Sequence, residues 1–110
     1  MADFSAQQGI ALHVALMPVR EQVFFNVAPE ALGDNDALRR LDANLLALEG
    51  DLIAALEAAG IAYTNLRPVM EEALRNQNLY PPTDGHPNAA GYAVVANHLA
   101  SALSSLVAKQ

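Results

Sequence analysis

The stretch Ile10-Ala-Leu-His-Val-Ala-Leu-Met17, closed by Pro18, decides how this chain is read. Ile10, Leu12, Val14 and Leu16 fall on one alternating face, and Ala11, Ala15 and Met17 on the other. A run that is apolar on both faces predicts a buried strand of a parallel sheet, which needs helices on both sides. The next segment, Asp36 to Ala59, has Leu38, Leu41, Leu45, Leu48, Leu52 and Leu56 at spacings of three and four, with Arg39, Asp42, Glu49 and Glu57 off the stripe. That is the period of an amphipathic helix. Gly50 interrupts it at a cost of about 1 kcal/mol relative to alanine, which predicts a bend or a close contact there. Gly60 stops it. "IAYTNL" (Ile61 to Leu66) reads as a second strand, and a strand, helix, strand order implies a parallel pair.

Outward from this unit, Ala2 to Gln8 reads as a short helix end stopped by Gly9. "VREQVFF" after Pro18 reads as a loop or helical turn, and Gly33, Asp34 and Asn35 as a turn able to cap the long helix. Pro68 suits the first turn of a short helix through Leu74. Arg75 to His86 reads as a loop held by Pro81 and Pro82. A last helix from about Asn88 to Val107 places Tyr92, Val95, Leu99, Leu103 and Leu106 on one face.

Composition bounds the function. With 110 residues the chain is most simply one domain, 1–110, burying roughly two thirds of its unfolded surface. Apolar residues make up 53%, which argues against disorder. Twelve acids against six bases give a net charge of −6, and no basic cluster exceeds Arg39–Arg40, so neither nucleic acid nor membrane is expected as a partner. Cysteine is absent, which excludes disulfides and thiol chemistry. No run approaches the ~18 apolar residues of a membrane span. The first residues have no signal-peptide pattern, which predicts a cytoplasmic chain unless the sequence belongs to a longer exported protein.

The chemistry concentrates in "PPTDGHPNAAGY" (Pro81 to Tyr92). Histidine is the side chain suited to passing protons near neutral pH, and a nearby carboxylate can fix its tautomer. Gly85 permits a tight turn between Asp84 and His86, and Pro87 fixes the backbone as the helix begins. The bland alternative is a turn in which Asp84 caps the helix. His13 reads as a packed strand histidine and His98 as a surface residue. No spacing supports a metal site from Asp84, His86 and His98, and no cofactor is implied. Arg20, past the strand end, reads as a surface salt-bridge partner ahead of an anion contact.

"YPPTDGHPNAAGYAVVANHLASAL" resembles the last motif block of the SGNH (GDSL-type) hydrolases, in which an Asp and a His precede Pro-Asn or Trp-Asn, a Gly and an apolar helix. The Asp-x-His spacing looks like the branch containing bacterial polysaccharide O-acetylation proteins. "LMPVREQV", the long helix and "GIAYTNLRPVM" follow that branch's order, with Asn65 where an aspartate is frequent. The resemblance covers nearly the whole chain and implies the C-terminal part of such a domain: a partial, flavodoxin-like, three-layer α/β/α fold with a short parallel sheet. It implies a serine esterase acting on a small ester or acylated substrate, with His86 as general base and Asp84 orienting it. The superfamily's serine sits in an N-terminal Gly-Asp-Ser block that this sequence does not show. Ser5, in "ADFS", is the nearest candidate nucleophile. "GDND" (Gly33 to Asp36) is similar to the family's Gly-x-Asn-Asp oxyanion block, although a helix cap explains it more simply. The other reading is a catalytically inactive fragment serving as a small assembling module or one that binds acyl groups or carbohydrate. Bare edges of a two-stranded sheet and the leucine stripe predict a homo-oligomer.

Overall fold

The structure, a computed structural model, describes residues 3, 7–28, 30, 36–82 and 84–108, with side chains as far as residue 104. Two strands, β1 (His13–Leu16) and β2 (Ala62–Asn65), pair in parallel with His13 opposite Ala62 and Leu16 opposite Asn65. Four helices accompany them: α1 (Arg20–Val27), α2 (Asp36–Ala58), α3 (Arg67–Leu74) and α4 (Ala89–Ala108). The expected strand, helix, strand crossover is present, and the chain is a partial α/β unit. "VREQVFF", read as a loop or a helical turn, contributes to a full helix of eight residues, α1. The expected N-terminal helix end lies largely outside the described residues, as does the turn at 33–35.

Local chemistry explains the boundaries. Gly60 adopts φ +70°, the left-handed conformation that favours glycine. It ends α2 with Gly60 N–H donating to the Glu57 carbonyl at 3.1 Å and Ile61 N–H to that of Leu56 at 2.9 Å. Pro68 is the second residue of α3, where a missing N–H costs nothing. Both strands are shorter than their apolar runs, because hydrogen-bonded pairing extends over four residues only. Gly50 has open space where a Cβ would project, so no close contact explains it.

The core lies away from the sheet. Val23 of α1, Met70 of α3, and Leu79 and Tyr80 of the following loop are buried together, with Phe24, Val69, Leu74, Val94 and Val95 packed around them. The Phe24 and Tyr80 rings stand 5.9 Å apart and tilted at 49°, a favourable aromatic arrangement. The expectation that β1 is covered on both faces therefore fails: Ala15, Ile10 and Met17 are exposed, and α4 packs on α3. Tyr92, placed by its spacing on the inner face of α4, is 51% exposed; among the described side chains Gly91 is buried and Ala90, Val94, Val95, His98, Leu99, Ala102 and Leu103 are half-buried. Likewise Leu41, Leu48 and Leu52 of the α2 stripe face outward.

At the C-terminal ends of the strands an ion network locks α2 to α3. Arg67 Nε and Nη2 donate to the two oxygens of Glu49 at 2.7 and 3.0 Å, and Nη1 donates to Glu71 at 3.0 Å. Asn65 Nδ2 adds a bond to Glu49 at 2.9 Å, while its Oδ1 accepts the Arg67 N–H at 3.1 Å. Such fork-to-carboxylate bonds fix orientation as well as charge. They hold the Glu49 carboxyl below the usual carboxylate range, Arg67 being the main cause. A cavity of about 200 Å³ opens beside this network, walled by Met17, Val19, Leu48 and Leu52.

Candidate active site

The residues that carry the candidate chemistry sit between a buried anchor and a helix start. Leu79 and Tyr80 are nearly inaccessible, at 0% and 3% exposure, and fix where the loop leaves the core. At the other end Asn88 is the cap of α4: its Oδ1 accepts the Gly91 N–H at 2.9 Å. The Asn88 N–H donates to the Leu79 carbonyl at 2.7 Å, and its Nδ2 to that of Asn78 at 3.2 Å. The loop is thereby pinched shut at its base. Gly91 makes this possible, since a Cβ there would stand 2.5 Å from the Leu79 carbonyl oxygen and 2.7 Å from Pro87 Cβ. Asn88, not Asp84, caps the helix, while the turn itself is present, closed by the Asp84 side chain on the His86 N–H.

Asp84 is instead turned onto His86. One oxygen, Oδ1, accepts both the His86 main-chain N–H at 3.0 Å and the ring at Nδ1 at 2.7 Å. The main-chain bond, and then the ring bond, hold the Asp84 carboxyl below the ordinary aspartate range, with the Arg20 charge adding to the effect. With Nδ1 engaged by a carboxylate, the ring's remaining nitrogen, Nε2, is the one left to act as a base. The His86 side chain is 80% exposed, so that nitrogen is accessible. A histidine oriented by a carboxylate, with its far nitrogen open, is an arrangement able to take a proton from a nucleophile.

The sequence placed Asp84 and His86 together, and the structure does so too. Ser5 lies outside the described residues, as do Gly33 to Asn35; Asp36 opens α2 and accepts a bond from Arg39. Ser101 and Ser104 stand on α4, where Ser104 Oγ donates to the Ser101 carbonyl at 2.8 Å. His13 is a strand histidine with a partner, its Nε2 lying 2.6 Å from Thr64 Oγ1. His98, expected at the surface, is half-buried on α4. Among the described residues no three His, Asp or Glu side chains gather as a metal site, and no helix is long and apolar enough to cross a membrane.

Arg20 does form the expected salt bridge, to Glu21 at 2.8 Å. It also makes a contact that sequence reasoning missed: Nη1 donates to the Asp84 carbonyl at 3.0 Å, across 64 positions of sequence. No sequence spacing announces such a bond. The anchor Leu79–Tyr80 was visible only as two apolar residues in an otherwise polar loop ahead of Pro81-Pro82.

The sequence model of one family, described as the SGNH hydrolase-like domain of the acetyltransferase AlgX, matches residues 3–110. The chain belongs to this SGNH hydrolase-like family. The match takes in β1, β2, all four helices and the Asp84–His86 loop, so the partial α/β unit is an SGNH hydrolase-like fold. Comparisons with curated proteins and with solved structures gave no match.

Proposed function

We propose that this SGNH-like chain contributes the general base and its orienting acid to acyl transfer from an ester through a serine. His86 Nε2 takes the proton from the serine Oγ as that oxygen attacks the ester carbonyl. The protonated ring, steadied by Asp84, then returns the proton to the departing alkoxide and leaves an acyl-serine. A second passage of the same kind delivers the acyl group to water or to another hydroxyl. The 2.7 Å bond between His86 Nδ1 and Asp84 Oδ1 carries this reading. The family's description as an acetyltransferase makes an acetyl ester the natural substrate to try. Turnover of p-nitrophenyl acetate tests it: His86→Ala is expected to lower the rate by on the order of 10²–10⁴-fold. Equal rates for the wild type and His86→Ala sink the reading.

One observation favours a second reading, a non-catalytic module that retains the loop. Among the described residues, the hydrogen-bond partners of His86 come from Asp84, with no serine among them. A fluorophosphonate probe separates the two readings. Labelling of a single serine, dependent on His86, supports the enzyme; no labelled serine supports the module.

A further inference from the structure

An exposed pair needs something to hold it. The base of its loop is fixed by Tyr80 and by Asn88, but the tip is not fixed by its own packing. Gly85 has nothing within 4 Å of where a Cβ would lie, and both side chains of the pair are largely in solvent. Asp84 reaches His86 only while the peptide planes on either side of Gly85 keep their orientation, and glycine is the residue least able to keep it unaided.

The guanidinium of Arg20 meets that need. Its Nη1 donates to the Asp84 carbonyl, which belongs to the peptide plane joining Asp84 to Gly85. The guanidinium is itself held, since Nε and Nη2 both donate to Glu21 Oε1, at 3.2 and 2.8 Å. Arg20 is also the first residue of α1, whose Val23 and Phe24 pack in the core against Tyr80. The tip of the loop is thus tied, through a rigid fork, to the element that shares the core with its base. The charged groups facing the pair are Arg20 and, behind it, Glu21.

We propose that Arg20 is a positioning residue for His86, acting through the Asp84 carbonyl. It fixes the peptide plane, keeps the Asp84 carboxylate turned onto Nδ1–H, and so leaves Nε2 unprotonated and outward. The proposal rests on the reading of Asp84 and His86 as acid and base given above, yet its test does not need turnover. The full chain, labelled with ¹⁵N, is observed above the pH at which the imidazolium loses its proton, where ring-nitrogen shifts report the tautomer. The wild type is expected to show the Nδ1–H form. Arg20→Met is expected to lose it, as Asp84→Ala does, and Arg20→Lys to recover part of it. A folded Arg20→Met with the wild-type tautomer and an unchanged Gly85 amide shift overturns the proposal. If Arg20→Met does not fold, the wild type decides: in the ¹³C,¹⁵N-labelled chain a hydrogen-bond coupling between Arg20 Nη1 and the Asp84 carbonyl carbon is expected, and its absence overturns it. Absent ester turnover alongside an Arg20-dependent tautomer counts against the enzymatic reading alone.

Discussion

His86 and Asp84 form a bond that pH must break in a known direction. Because the Asp84 carboxyl titrates below its unfolded value, the contact stabilises the loop above the ordinary aspartate range and is lost as pH falls through the lowered value. The Asp84 carboxyl ¹³C shift, followed from pH 6 to about pH 2, is expected to move at a lower midpoint than that of an unfolded aspartate near 3.9. A midpoint at or above the unfolded value contradicts the bond. Gly91 is the other residue on which the site depends. Alanine there meets a main-chain carbonyl at 2.5 Å, and backbone cannot step aside cheaply. Gly91→Ala is expected to cost about 1–3 kcal/mol in denaturant unfolding and to loosen the loop's base. An unchanged midpoint would contradict that packing.

Among the elements, the long helix gives the clearest test of an uncompensated residue. Gly50 lies inside α2 with open space around its Cα, and nothing in the structure requires glycine there. Gly50→Ala is expected to stabilise the chain by about 1 kcal/mol, visible as a raised thermal midpoint; a lowered one would mean that the position is packed after all. This helix, both strands and α4 were legible in the sequence because periodicity and glycine or proline stops are local signals. So were Asp84 and His86, two residues apart within a recognisable block. What was not legible depends on the tertiary arrangement. α1 has no clear apolar stripe, and it is a helix because Val23 fits beside Met70 and Tyr80. The bond from Arg20 to Asp84 joins residues 64 positions apart. The inner face of α4 differs from the spacing-based choice at Tyr92 because α3, rather than the sheet, receives it.

For the whole molecule, the leucine stripe of α2 matters most. Leu41, Leu48 and Leu52 are 41%, 53% and 44% exposed in a line along one face, beside the equally exposed Met17 and Val19. Two copies laid together along this face would bury the leucines of both. Light scattering at micromolar concentration is therefore expected to show a dimer, and Leu48→Glu with Leu52→Glu to return the monomer mass. A wild-type mass that stays monomeric at every concentration excludes this assembly. The position of the core has a different consequence, one of local opening. Val23, Met70, Leu79 and Tyr80 knit α1, α3 and the base of the site loop together, while β1, β2 and α2 contribute little to that cluster. The two regions are joined through the Glu49–Arg67 network, but differ in buried apolar packing, and are expected to open with different free energies. Amide exchange is expected to be slowest at Met70, whose buried N–H donates to the Leu66 carbonyl, and markedly faster along β1 and α2. The pair at Asp84 and His86 then stays assembled in molecules whose sheet has transiently come apart.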